Sequence, residues 1–304
     1  MDNEAVLVQG LVKQYGNVTA VNGISFGVRK GEVFGLLGPN GAGKTTTLEC
    51  LEGIRKPDNG QMRVAGCDPR TDSREMRRKL GVQLQSSSLP DSMRTDEAMA
   101  LVCAWHAQAP RFDLLIRFGL EASFKKQYHT LSTGQKRRLH LALALAHNPE
   151  VIILDEPTAG LDVQGRAQLH DAIRELKTNG LTVLLATHDM AEAEALCDRL
   201  AILIQGKIAV IGTPAQVTST GSPETRIIIR TVNESLLPGC NIGLARFIKE
   251  SEGYGEWVST DVAASLTEIL RKIQLAGDEV EDLRVQRPSL EERFLELVEG
   301  GGLK

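Results

Sequence analysis

The chain has 304 residues, 42% of them hydrophobic and 24% charged, with a formal net charge of −4 at pH 7. This length accommodates one large domain and a smaller one, each with its own core. The charge gives no reason to expect non-specific binding to nucleic acid or to an anionic membrane. The five cysteines are scattered and lack metal-ligand spacing, which favours free thiols in a reducing compartment.

The N-terminal half predicts an α/β fold that begins with strands. Residues 6–12 and 24–28 are predicted strands, with turns at Gly16-Asn17 and Asn22-Gly23. The apolar run 33–37 predicts a buried strand, and residues 46–51 predict a helix. The N-terminus lacks the layout of a signal peptide, and no stretch approaches the roughly eighteen apolar residues of a membrane span. We therefore expect a cytoplasmic protein.

Between this strand and helix, the chain matches the phosphate-binding pattern G-x-x-x-x-G-K-[ST] at every constrained position. The glycines let successive backbone N–H groups point inward at a phosphate chain, and the helix adds its positive N-terminal end. Lys44 is expected to reach the β- and γ-phosphates, and the Thr45 hydroxyl to ligate Mg²⁺. A chance glycine-rich turn is the alternative, which the flanking strand and helix disfavour. The predicted nucleotide-binding residues here are Gly38, Pro39, Asn40, Gly41, Ala42, Gly43, Lys44, Thr45 and Thr46.

After this loop, a helical insertion separates two halves of the α/β core. The turn Pro57–Gly60 precedes a short predicted strand at 61–64, and a charged helix at 71–79 precedes a strand at 80–85. Residues 86–90 break the chain, and the insertion, at about residues 86–148, is predicted to be helical. Its expected helices cover residues 95–108, 113–118 and 135–147.

Two carboxylates follow the apolar run 151–154, which predicts a strand buried on both faces. Asp155 and Glu156 thus emerge where the ligands of open α/β sheets bind. Asp155 is expected to hold Mg²⁺, and Glu156 to orient and deprotonate an attacking water. An acidic cap before Pro157 is the alternative, which the pairing with the phosphate loop disfavours.

The remainder predicts further strands and a second domain. Residues 182–186 form another buried strand, and 200–204 with 207–211 form a hairpin. The composition becomes polar at residues 218–223, so we place the domain boundary after residue 220. The small α+β domain at 221–304 should contain strands at 226–232, 256–259 and 280–285, a helix at 265–275 and a final amphipathic helix through Val298, opened by a capping box of Ser289 and Glu292.

A basic helix at 135–147 begins at a natural N-cap, Ser132, with the Gly134 amide in its first turn. This geometry predicts an anion site, although a plain capped helix start would look the same. The segment Leu131–Gln135 resembles the signature of the ATP-binding-cassette (ABC) ATPases, most often Leu-Ser-Gly-Gly-Gln. The departure is Thr133, whose β-branched side chain adds bulk and puts the strength of the signature contact in question.

Other family elements occur in the family's order over residues 6–217. Tyr15 lies where these ATPases keep an aromatic that stacks on adenine, and Asp162 resembles the acid of the loop that crosses between subunits. Gln85 resembles the glutamine that links the metal and attacking water to the insertion, with Gln83 as a competitor. His188 resembles the histidine that contacts the γ-phosphate. Without the resemblance, these would be an edge-strand tyrosine, a turn, a solvent-facing glutamine and a helix cap.

The resemblance implies a P-loop NTPase fold of the ABC type, with ATP and Mg²⁺ as cofactors. Catalytic roles fall to Glu156, His188 and Gln85, metal ligation to Thr45, Gln85 and Asp155, and contact with the partner's ATP to Ser132, Gly134, Gln135 and Asp162. It also implies pairing with itself or another ABC subunit, and an integral membrane permease that holds the chain at the inner face of the membrane. The ending 287–297 resembles single-cassette exporter subunits, including drug-efflux systems.

Two other functions remain open from the sequence. A soluble ABC-type mechanoenzyme would act on ribosomes or DNA, but such proteins usually carry two cassettes or a long coiled-coil insertion. A small-molecule kinase would use the same phosphate loop, with Glu156 as a substrate base, and would leave His188 and residues 132–135 without a role. No nucleic-acid partner is expected.

Overall fold

A computed structural model describes residues 3–85, 88–219, 224–236, 241–286 and 289–299. The chain separates into two compact units, the first ending at Pro214 and the second beginning at Ala215. The predicted boundary, after residue 220, lies six residues beyond this observed boundary. Most of the polar stretch that suggested it lies outside the described residues. Among the described residues, no helix is long and apolar enough to cross a membrane.

The first unit combines two sheets with helices. Its strands are β1 (Glu4–Tyr15), β2 (Val18–Arg29), β3 (Val33–Leu37), β4 (Asn59–Val64), β5 (Leu80–Gln83), β6 (Val151–Asp155), β7 (Thr182–Thr187), β8 (Arg199–Ile204) and β9 (Lys207–Gly212). Its helices are α1 (Lys44–Leu51), α2 (Ser73–Lys79), α3 (Thr95–Trp105), α4 (Phe112–Arg117), α5 (Thr133–Ala144), α6 (Val163–Thr178) and α7 (Met190–Leu196). Helix α8 (Pro214–Ser219) spans the boundary between the units.

The central sheet has the strand order β5-β6-β7-β3-β8-β9 and is parallel except for β9, which pairs antiparallel with β8. Every residue of β3, β6 and β7 is buried, as expected for strands covered on both faces. Because the strands are parallel, the carboxyl ends of β3 and β6 meet at one edge. The phosphate loop and the Asp155-Glu156 pair therefore lie at the same edge.

A second, antiparallel sheet has the order β2-β1-β4. The hairpin predicted at Gly16-Asn17 joins β1 to β2, and this prediction is confirmed. The turn predicted at Asn22-Gly23 is wrong, because both residues lie inside β2. Gly23 has a φ of +72°, and the register shifts between the pairs Leu11–Ile24 and Val12–Asn22. The glycine thus makes a bulge, which bends the strand without reversing it.

Helix α5 has the leucine alternation of a strand but forms a helix, as its capping residue and alanines predict. Leu139, Leu141, Ala142, Leu143 and Ala144 are all buried, so apolar residues occupy most of its circumference and mask the helical period. The helix ends at Ala144, three residues before the predicted end. Asn148 then takes a left-handed conformation with a φ of +54°, before Pro149 prevents any continuation.

The second unit is an α+β fold. Its elements are β10 (Thr225–Thr231), β11 (Arg246–Ser251), β12 (Tyr254–Ser259), α9 (Val262–Leu275), β13 (Val280–Gln286) and α10 (Leu290–Glu299). The antiparallel sheet has the order β11-β12-β10-β13, and its core contains Ile227, Ile229, Trp257, Ile269 and Ile273. The sequence did not predict β11, whose residues are mostly polar and exposed.

The predicted capping box at α10 is confirmed. The Ser289 Oγ accepts a hydrogen bond from the Glu292 N–H at 3.1 Å, and the Glu292 carboxylate accepts one from the Ser289 N–H at 3.1 Å. The expectation of free thiols is confirmed for the four described cysteines, Cys50, Cys67, Cys103 and Cys197, all of which are buried. Cys240 lies outside the described residues.

Candidate functional site

The phosphate loop bends through positions where only glycine fits. A Cβ atom on Gly43, whose φ is +101°, would lie 2.3 Å from the Ala20 carbonyl oxygen. A Cβ on Gly38 would lie 2.5 Å from the Leu203 carbonyl oxygen. The loop thus packs its backbone directly against two neighbouring strands, which fixes the direction of its N–H groups at the start of α1.

Lys44 lies within the loop and is only 5% exposed. Its Nζ donates to the carbonyl oxygens of Gly38 and Pro39, at 2.7 and 3.2 Å. Burial lowers the pKa of this ammonium, while the nearby Glu156 and Asp155 carboxylates oppose that shift. A dehydrated ammonium held by two neutral carbonyls is poised to exchange them for anionic oxygens, which bind it more strongly. The site therefore fits a polyphosphate.

Asp155 ends strand β6 and faces the first turn of α1. The Thr45 hydroxyl donates to Asp155 Oδ2 at 3.2 Å. Asp155 Oδ1 is buried and has no hydrogen-bond partner among the described residues. Burial raises the pKa of this carboxyl, the Thr45 hydrogen bond lowers it, and Glu156 raises it further. A buried carboxylate oxygen without a partner, beside a hydroxyl, is the hard oxygen donor set that Mg²⁺ prefers. These residues fit the ion.

Glu156 is held in place by contacts with three other residues. Its N–H donates to the Ala186 carbonyl oxygen of β7 at 2.8 Å. Its carboxylate accepts a 2.7 Å hydrogen bond from Gln85 Nε2 and lies 2.9 Å from His188 Nδ1. Its backbone has a φ of +47°, a left-handed conformation that costs about 1–3 kcal/mol in a residue other than glycine. Strain at a residue so firmly fixed is typical of functional sites.

The structure distinguishes Gln85 from Gln83, the other candidate for the glutamine that links the metal and the attacking water to the insertion. Gln85 contacts Glu156, whereas the Gln83 side chain is buried and has no hydrogen-bond partner among the described residues. Arg137 of α5 donates through Nη1 to the Gln85 carbonyl oxygen at 2.9 Å. No sequence motif predicted a role for Arg137 itself. The basic run directly after residues 132–135 is the signal that pointed to it.

These side chains surround a cleft of about 460 Å³. Its lining includes residues of the loop, of α1 and of the carboxylate cluster, and also Ala20, which the sequence did not single out. The lining residues are Ala20, Asn40, Gly41, Gly43, Lys44, Thr45, Thr46, Gln85 and Glu156. We call this cleft, together with Asp155 and His188, the phosphate side.

A second group of predicted residues does not line that cleft. Ser132 and Gln135 form a capping box, with Gln135 N–H donating to Ser132 Oγ at 3.2 Å and Ser132 N–H donating to Gln135 Oε1 at 3.0 Å. Asp162 caps α6 by accepting from the Gly165 N–H at 2.7 Å. A Cβ on Gly160 would lie 3.8 Å from the Thr133 methyl carbon, so the two loops are neighbours. We call residues 132–135 and 159–162 the signature side.

Tyr15 lies at the hairpin end of β1 and is 40% exposed. The Arg55 guanidinium carbon lies 5.2 Å from the centre of its ring, and Lys13 Nζ lies 5.6 Å from that centre. Such cation–π contacts orient the ring at the surface. Tyr15 does not line the 460 Å³ cleft.

A buried lysine in a glycine-rich loop, a buried aspartate and a clamped glutamate, all at the carboxyl edge of a parallel sheet, define a P-loop nucleoside triphosphatase. The sequence matches the ABC transporter family over residues 21–159. It is 35% identical to the daunorubicin resistance ATP-binding protein DrrA3 of Streptomyces coeruleorubidus, over 98% of this chain and 96% of that protein. It is 32% identical to the linearmycin resistance ATP-binding protein LnrL of Bacillus subtilis, over 95% of this chain and 96% of that one.

Solved structures agree with this assignment. The cbiO1 protein of Clostridium perfringens, part of the ABC transporter complex cbiONQ, is 30% identical and superposes with a TM-score of 0.65, covering 72% of this chain and 92% of that one. An ATP-binding subunit of an ABC transporter is 27% identical, with a TM-score of 0.66 over 71% and 92% of the two chains.

The chain belongs to the ATP-binding subunits of ABC transporters. It is an ATPase whose cofactors are ATP and Mg²⁺, and the predicted fold class is confirmed. These matches give no support to a mechanoenzyme acting on ribosomes or DNA.

Proposed function

We propose that this subunit powers an exporter, by pairing with a second ABC subunit and driving a separate integral membrane permease from the cytoplasmic face. The observation that carries the export direction is the extent of two matches. The daunorubicin and linearmycin resistance proteins match 98% and 95% of the chain, so the likeness includes the second unit as well as the cassette. The cargo that these two names suggest is a compound of the daunorubicin or linearmycin kind, selected by the permease.

On the phosphate side, the proposed roles follow the geometry. The loop from Gly38 to Thr46 and Lys44 bind the triphosphate, and Thr45, Asp155 and Gln85 hold Mg²⁺. The ion supplies charge neutralisation on the phosphate oxygens when it is bound. Glu156 is the proposed base, since it lines the cleft and its carboxylate is fixed by Gln85 and His188. His188, 55% of whose side chain is exposed, is free to reach a terminal phosphate.

The signature side is proposed to act on the partner subunit's nucleotide. Ser132 and Asp162 are exposed and do not line the cleft of their own chain. The capping box of Ser132 and Gln135 fixes the first turn of α5, which directs the Gly134 amide and the positive end of the helix outward. Two copies placed head to tail would each cover the other's phosphates. Tyr15 is the proposed adenine platform.

A permease requires a docking surface, and the helical insertion offers one. Trp105 is 83% exposed, and Leu101, which is 55% exposed, lies one turn earlier on the same face of α3. Large apolar side chains exposed together usually mark an interaction site. We assign this surface to the permease.

The export direction is tested in cells of the source organism by replacing the chromosomal copy with a Glu156→Gln variant. Loaded with daunorubicin or linearmycin as probe, the variant cells should retain more compound than the wild type does. A Glu150→Gln strain is the matched control, since Glu150 lies at the opposite end of β6 and is exposed. Lower accumulation in the Glu156→Gln cells would indicate import, and equal accumulation would remove these compounds from the proposed cargo class.

A further inference from the structure

The second unit has two sheet edges that differ in how they are protected. Strand β11 ends the sheet on one side and contains an irregularity in its pairing between Phe247 and Lys249. A bulge and a lysine on an edge strand are both devices that discourage pairing with another chain. Strand β13 ends the sheet on the other side. It pairs with β10 in regular register from Asp282 to Gln286, so its outer edge is straight over those residues.

The outer edge of β13 is open among the residues that the structure describes. Six of its seven residues are exposed, and they include apolar side chains that the fold leaves unburied. Leu283 is 38% exposed and Val285 is 45% exposed. Their partners in β10, Ile229 and Ile227, are buried under α9. Leu283 and Val285 therefore extend the apolar face of the sheet beyond the helix that covers it.

The opposite face of β13 carries two opposite charges, two residues apart. The Asp282 carboxylate accepts from Arg284 at 2.7 Å and from the Tyr254 hydroxyl at 3.0 Å. The Arg284 side chain nevertheless remains 57% exposed, and that of Asp282 32% exposed. Arg284 also lies over the Tyr254 ring, 5.3 Å from its centre. Because both side chains keep exposed surface, a strand laid alongside can reach them.

We infer that the β13 edge pairs antiparallel with β13 of a second copy of this chain, about a two-fold axis through Leu283. In this register Leu283 faces Leu283 of the second copy. Asp282 faces the other copy's Arg284, and Arg284 faces its Asp282. Shifting the centre to Arg284 would set two arginines opposite each other, a destabilising pair. The charges therefore select both the occupant and the register, since a strand that reads Asp-Leu-Arg is complementary to itself when reversed.

Pairing of this kind is weak alone but useful in a molecule that already pairs elsewhere. One strand edge buries less surface than a stable interface needs. The two second units would keep their cassettes at a high effective concentration while ATP-driven pairing opens and closes. The inference rests on the proposed pairing of two ABC subunits, but it requires no nucleotide. Its contact is therefore measured separately, in the absence of ATP.

The test uses two charge reversals in the full-length chain, Asp282→Arg and Arg284→Asp. Sedimentation at high protein concentration without nucleotide should show that each variant self-associates about tenfold more weakly than the wild type, because two attractive pairs become repulsive. A one-to-one mixture of the two should associate as strongly as the wild type, since every facing pair is again opposite in charge. The double variant Asp282→Arg/Arg284→Asp should also recover.

Only a contact between chains predicts the recovery of the mixture. If the double variant recovers but the mixture behaves as the average of its components, the charges act within one chain and the inference is overturned. Unchanged association in the single variants would overturn it as well. ATP-driven pairing of the cassettes is measured separately, in the Glu156→Gln background. If the cassettes still pair with ATP while the nucleotide-free association does not respond to the charge reversals, the β13 inference fails and the proposed function does not.

A crosslink locates the register. Leu283→Cys should form an intermolecular disulfide under mild oxidation, because residues facing each other on antiparallel strands bring their Cβ atoms within about 4.5–5.5 Å. Ile248→Cys is the matched control, since Ile248 is 42% exposed on the opposite edge strand. The wild type measures any background from its own cysteines. Equal crosslinking at positions 283 and 248 would overturn the assignment to the β13 edge.

Discussion

The phosphate side and the signature side of the cassette are built in opposite ways. On the phosphate side, Lys44, Asp155 and Glu156 are buried; Asp155 and Glu156 are held by groups far away in the sequence, and Lys44 by two carbonyls of its own loop. On the signature side, Ser132 and Asp162 are exposed, and their side chains accept hydrogen bonds from the first turn of their own helices. The contrast supports the proposal that the second side acts on another molecule, whereas the first is assembled within one chain.

The largest effect is expected from removing the proposed general base of the phosphate side, Glu156. Glu156→Gln keeps the size of the side chain but removes the charge that accepts a proton. Turnover should fall roughly 10²–10⁴-fold, the usual contribution of a positioned base, while ATP affinity stays near that of the wild type. Equilibrium binding and steady-state hydrolysis on one preparation measure both. Glu150→Gln serves as the control, and turnover within a few-fold of the wild type would remove Glu156 from the mechanism.

The next largest effect is expected from a substitution on the signature side that leaves the cleft unchanged. Ser132→Arg adds bulk and charge to an exposed position, so ATP binding by the isolated chain should be unchanged while ATP-dependent pairing is lost. Because the proposed mechanism requires pairing, hydrolysis should fall by at least about tenfold. Sedimentation with and without ATP follows the pairing directly.

Mixing Ser132→Arg with Lys44→Ala sharpens this result. A heterodimer of the two retains one composite site, with the intact phosphate side of one chain and the intact signature side of the other. Partial recovery of hydrolysis is therefore expected. An activity equal to the average of the two separate proteins would contradict sites shared between chains.

A smaller effect concerns stability near the phosphate side. Glu52 is buried next to α1, and neither of its carboxylate oxygens has a hydrogen-bond partner among the described residues. Burial, reinforced by Asp155 and Glu49, raises its pKa to about 7. The folded chain thus binds a proton that the unfolded chain releases near pH 4.5, so Glu52 lowers stability progressively as the pH rises from about 4.5 to about 7.

Glu52→Gln should remove this dependence. Its free energy of unfolding should match that of the wild type near pH 4 and exceed it by about 1–3 kcal/mol at pH 8. Urea unfolding across this pH range measures the difference, and Glu150→Gln is the control, since it removes an exposed carboxylate that does not contribute to the Glu52 pKa. A constant offset at all pH values would show that shape, and not the ionised carboxylate, is responsible.

Sequence patterns identified most of the cassette because its motifs are local. The phosphate loop is contiguous, and the strands β3, β6 and β7 are short apolar runs, so their positions needed no knowledge of distant contacts. The helix cap at Ser132 was likewise predicted from the residues next to it. Gln85 needed more, because only the folded chain shows that it reaches Glu156 and that Gln83 does not.

The failures share a physical cause. Strand β11 was missed because an exposed edge strand needs few apolar residues, and its signal lies in pairing with β12. The Asn22-Gly23 bulge looked like a turn because both use a glycine at positive φ, and only the register with β1 distinguishes them. The contact from Arg137 to the Gln85 backbone spans 52 positions, a distance over which local patterns carry no information.

The two tryptophans lie in opposite environments, and this gives the molecule a pair of built-in optical reporters. Trp105, 83% exposed on α3, should emit at long wavelength and be quenched readily by iodide, whereas Trp257, 1% exposed, should emit at short wavelength and resist quenching. The fluorescence of Trp105 reports on the surface of the helical insertion, and the fluorescence of Trp257 reports on the folding of the second unit. Selective quenching therefore makes it possible to follow the two units separately in the unlabelled, full-length chain.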